Sequence, residues 1–80
     1  MPTVFRLDGY RFFFYSNEGS PLEPMHIHVQ KAGAEAKFWL IPEIVLDRSD
    51  GFDAKTLRRL LGIVKSNRNI IEDRWNEYFS

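Results

Sequence analysis

The stretch Thr3 to Ser16, TVFRLDGYRFFFYS, decides how the rest of the chain is read. Thr3–Leu7 and Tyr10–Ser16 are runs of β-branched and aromatic residues, the composition of strands, and Asp8-Gly9 separates them. An Asp-Gly pair tolerates the positive φ angles of a type I′ turn, so the stretch predicts a β-hairpin. The following segment 16–24, SNEGSPLEP, is crowded with turn formers and is expected to be a surface loop. His26–Lys31 and Ala34–Leu40 then read as a second pair of short strands around Gly33, with Pro42 ending the sheet.

Beyond Phe52 the apolar period changes. Leu57, Leu60, Leu61 and Val64 recur at i, i+3, i+4 and i+7, which lines one face of a helix and leaves Lys55, Arg58, Arg59 and Lys65 on the other side. Asp53 is a suitable N-cap, and Phe52 before it can act as a hydrophobic staple on Leu57. Asn67-Arg68-Asn69 has low helix propensity and can cap a further helix, whose apolar stripe would be Ile70, Ile71, Trp75, Tyr78 and Phe79. Two helices and one kinked helix both fit. Strands first and helices last imply an α+β fold, with an antiparallel sheet of about four short strands in two hairpins and the helices packed on one face.

Eighty residues make a single domain, 1–80, with material for one core only. Seven Phe, three Tyr and two Trp supply that core without staples. There is no cysteine, which excludes disulfides and thiolate metal sites and agrees with a reducing, cytoplasmic location. No apolar run reaches the roughly 20 residues needed to cross a bilayer, and the first residues have no signal-peptide pattern. Eleven basic residues balance eleven acidic ones, so no overall field favours nucleic acid. The segment Asp47, Asp50, Asp53 lacks a calcium-loop pattern and reads as a polar connection and cap.

Side chains alternate across a strand, which divides the sheet residues into two sets. Phe12, Phe14, Ile27, Val29, Ala36, Phe38 and Leu40 form the set expected to face the helices. The outer set contains His26, His28 and Gln30, Glu35, Lys37 and Trp39, and Arg11, Phe13 and Tyr15. Three large aromatics on a solvated face are unusual, and an exposed apolar patch commonly marks an interaction surface. The plainer reading is cross-packing of aromatics on a two-sided sheet.

His26-Ile27-His28 is the most suggestive short pattern, because residues two apart in a strand share a face. Two imidazoles there could meet a divalent ion, with Glu35 or Glu23 as a third ligand, or form an acid/base pair. Ordinary strand histidines bonded to their neighbours are the commoner case. In the acid/base reading, a small ribonuclease-like enzyme would use His26 and His28 for proton transfer and Arg11 or Lys37 against phosphate charge. The stripe Lys55, Arg58, Arg59 and Lys65 could contact RNA or DNA phosphates, although a solvated helix face explains it as well. No nucleophilic triad or phosphate loop can be assembled, and no cofactor is implied.

Taken together, MPTVFRLDGYRFFFYSNEG, EPMHIHVQKAGAEAKFWL, GFDAKTLRRL and NRNIIEDRWNEYF resemble domain-of-unknown-function family 4160, small bacterial proteins. The resemblance covers nearly the whole chain. It implies emphasis on Arg11, Tyr15, Ser16, Glu23, His26, His28, Lys37 and Trp39, and, as context, a place beside a second small protein in a toxin-antitoxin-like pair. This chain reads Pro24-Met25-His26 where the family pattern is Pro-Pro-His. The leading expectation is an interaction module that binds a partner protein, encoded nearby, through the outer sheet face at Phe13, Tyr15, Glu35 and Trp39. A homodimer is the alternative association.

Overall fold

Asp8 and Gly9 take φ angles of 53° and 82° and close the first hairpin, joining β1 (Thr3–Leu7) to β2 (Tyr10–Phe13). Ala32 and Gly33, at 51° and 85°, turn β3 (His26–Lys31) into β4 (Ala34–Trp39) in the same way. The computed structural model describes residues 2–16 and 23–79. Most of the loop expected over 16–24, namely 17–22, lies outside the described residues.

The sheet has five strands, one more than the sequence suggested. β5 (Val45–Asp50) pairs antiparallel with β4, giving the order β1-β2-β3-β4-β5 with every neighbour antiparallel. Its residues had read as a polar connection because each of them is exposed. An edge strand is held by backbone pairing on one side and needs no buried face, so it carries no alternating apolar signal. β4 stops at Trp39, and the sheet resumes beyond Pro42, which therefore does not end it. β2 is also shorter than expected, stopping at Phe13, although the Phe14 amide still donates to the Pro2 carbonyl at 3.0 Å.

Both edges are irregular. Between Thr3 and Phe5 of β1, one extra residue, Val4, enters against Phe13-Phe12; in β5, Asp47 is the extra residue against Lys37-Phe38.

After Gly51 the chain enters α1 (Ala54–Ser66), capped by Asp53, whose carboxylate accepts from the Thr56 amide at 2.8 Å. That bond, helped by Lys55 and Arg58, holds the Asp53 carboxyl below the usual carboxylate range. Asn67 ends α1, its amide and side chain both donating to the Ile63 carbonyl, and its own carbonyl accepts from Ile71 of α2 (Arg68–Phe79). There are thus two helices, broken at the Asn67 step. Leu60, Val64, Ile71 and Trp75 pack with Phe12, Phe14, Ile27, Val29, Ala36, Phe38 and Leu40 in one buried cluster. Phe52 meets Tyr10, with ring centroids 6.0 Å apart, and joins the margin of that core with Leu57 and Phe79. Ile70 and Tyr78 of the expected α2 stripe remain exposed.

Candidate functional site

Strand register fixes the candidate residues in rows. Phe13 stands opposite His28 and His28 opposite Lys37, while His26 stands opposite Trp39. The parity that leaves Ile27 and Val29 in the core therefore puts His26 and His28 on the other side of β3 with Phe13, Lys37 and Trp39.

The rings on that side form a continuous stack. His28 lies 5.6 Å from Phe13 and 4.5 Å from Tyr15, centroid to centroid, and 5.1 Å from His26 in an edge-to-face arrangement. His26 in turn meets Trp39 at 5.4 Å and Trp75 of α2 at 5.1 Å. Trp75 also packs on Phe14, so this stack is continuous with the main core.

The expected exposed aromatic patch is corrected here. Phe13, His26 and His28 have 0 % of their surface exposed, and only Tyr15 and Trp39 are half-buried. The hydrophobic effect drives the rings together. His26 Nδ1 lies 2.8 Å from the Pro24 carbonyl. A carbonyl only accepts, so Nδ1 carries the proton, which sets the tautomer.

The charged groups are drawn inward in the same manner. Lys37, 6 % exposed, places its ammonium 3.1 Å from Glu23 and 3.7 Å from Asp47, and 4.1 Å above the Trp39 ring. Burial of an amine is tolerable with two carboxylates and a π face around it. Glu35 accepts from the Tyr15 hydroxyl at 2.9 Å and holds its other oxygen 3.7 Å from His28 Nδ1. Arg11 donates to Thr3 Oγ1 at 2.8 Å and lays its guanidinium 4.3 Å over Phe13.

Chemically, this arrangement sets a buried imidazole pair behind a rim of Arg11, Tyr15, Glu35 and Trp39. The acid/base expectation for His26 and His28 meets a physical obstacle, because neither ring presents surface to a substrate. Lys37, offered for phosphate contact, is held between two carboxylates. For a metal, His28 and Glu35 come together while Glu23 is drawn to Lys37; among the described residues no three His, Cys, Asp or Glu side chains converge on one point. All four side chains of the basic stripe, Lys55, Arg58, Arg59 and Lys65, are exposed, and Arg59 pairs with Asp8 of the first turn.

Sequence reasoning passed over Trp75 as a neighbour of His26 and Asp47 as a partner of Lys37. Neither has a local signal, since one contact comes from α2 and the other from a bulge residue in an edge strand.

The sequence profile of the family described as Domain of unknown function (DUF4160) matches residues 9–76. The chain belongs to that family. The matched span runs from the first hairpin turn into α2 and so contains the whole ring stack and its rim. No curated protein and no solved structure matches the chain.

Proposed function

We propose that the chain is a protein-interaction module, one component of a two-gene, toxin-antitoxin-like pair, and that it takes its partner at the Trp39 end of the outer sheet face. The observation that carries this reading is Trp39 itself. Its indole is half-exposed and is held by an edge-to-face contact with His26 and by the Lys37 ammonium over its ring. It borders a groove of about 330 Å³ lined by Pro24, Trp39, Ile41, Pro42, Glu43 and Val45, with Ile41 and Val45 both exposed.

A rigid aromatic with one open side, next to apolar walls, is what interface anchors offer, because little side-chain entropy remains to be lost on binding. The occupant we propose is an apolar side chain on a partner protein, with Glu43 at the lip favouring a basic neighbour. Burial of both imidazoles weighs toward this reading and against the nuclease one.

The test is co-expression with the product of the adjacent gene. Co-elution is expected for the parent, and Trp39→Ala should weaken the complex by about tenfold or more while the far-ultraviolet spectrum is retained. Absence of co-elution in the parent, or undiminished binding by the variant, would overturn the proposal.

A further inference from the structure

One row of side chains crosses the entire outer face. Register places Arg6 opposite Arg11, Arg11 opposite Gln30, Gln30 opposite Glu35 and Glu35 opposite Asp50. From β1 to β5 the row therefore reads base, base, neutral, acid, acid. At strand separations of about 4.8 Å it is roughly 19 Å long. Like charges stand directly opposite one another at both ends, an arrangement that is unfavourable within a sheet. Arg6 and Asp50 are fully on the surface, and Arg11, Gln30 and Glu35 are half-buried. The acidic end is also concave: Gly33, Glu35, Ala36, Arg48, Ser49 and Asp50 line a depression of about 360 Å³, with Arg48 turned to Asp47 at 3.4 Å.

A row of this kind is complementary to itself when reversed. We propose that a second copy of the chain binds this face, related by a two-fold axis that runs parallel to β3 over Gln30. The operation exchanges β1 with β5. It sets Arg6 and Arg11 of one copy against Asp50 and Glu35 of the other, twice over, and Gln30 against Gln30. An isologous contact demands this reciprocity. Guanidinium and carboxylate groups are also suited to two-point hydrogen bonding, and the exposed Arg6 and Asp50 at the two ends meet across the axis with opposite charge. The contact is small and ionic, so the dimer is weak and salt-sensitive. The row lies four residues along β3 from His26, about 13 Å, so it is separate from the Trp39 groove.

The test is a charge swap. Arg6→Glu and Asp50→Arg change surface residues with no part in the core. Sedimentation at low salt and high micromolar concentration should show parent dimer that dissociates as salt is raised. Each variant alone confronts like with like and should self-associate at least about tenfold more weakly. An equimolar mixture of the two restores both contacts in a mixed pair and should recover the dimer, as should Arg6→Glu and Asp50→Arg combined in one chain. A parent that stays monomeric, single variants that pair as the parent does, or a mixture that stays monomeric would each overturn the proposal. Co-elution with the neighbouring gene product should be untouched by Arg6→Glu, which separates this result from the reading of Trp39.

Discussion

Phe13 lies on the side of the sheet away from the main core, yet it has no exposed surface and touches His28, Tyr15 and Arg11. Phe13→Ala should therefore cost about 3–5 kcal/mol, as for a core aromatic, where a surface residue would change stability by less than about 0.5 kcal/mol. Denaturant unfolding distinguishes the two. Asp53 gives a pH-dependent prediction. Its folded-state pKa is below its unfolded one, so the cap contributes fully above the ordinary carboxylate range and is lost as pH falls through the lowered value. Thermal melts of Asp53→Ala and parent should differ near neutral pH, and the difference should close in acid. At this scale the sequence disclosed which residues share a side of β3, since alternation is local. It did not disclose depth: His26 is buried partly by Trp75, 49 positions further on, and no local pattern carries that contact.

Among the elements, turns and caps were the most legible because each is chosen by a few adjacent residues. Asp8-Gly9, Gly33 and Asp53 take the conformations their chemistry favours, whereas Ala32, at φ 51°, is held where its Cβ is disfavoured. β5 was illegible because its residues are all exposed and its register is broken at Asp47. The Gly51 position that follows it shows why that strand nevertheless has a fixed course. Gly51 has φ of 94°, and a Cβ there would lie 2.9 Å from Ala34 Cβ, whereas Gly33 at 85° has open space around it. Gly33→Ala should cost about 1–2 kcal/mol from backbone strain alone. Gly51→Ala should cost more, because strain and collision add and the β5-to-α1 passage must shift. Urea midpoints of the two variants measured side by side would show the order, and equal losses would contradict it.

For the whole molecule, the helical layer covers one side of the sheet, and the other side closes over its own rings and turns a banded charge pattern outward. Strands before helices gave the layer order from sequence; the bands required register across five strands, one of them unrecognised. The two borders of the sheet, in contrast, are both interrupted, by Val4 in β1 and by Asp47 in β5, and Arg6, Asp47, Arg48 and Asp50 stud them with charge. A strand arriving at either border finds hydrogen-bonding groups out of step and ions to desolvate. Lateral addition is thereby disfavoured, while the proposed stacking through a two-fold axis would consume its own surface as it forms. Association of this chain with itself should accordingly have a stoichiometric ceiling: a pair that neither lengthens into a filament nor seeds one, however concentrated the solution becomes.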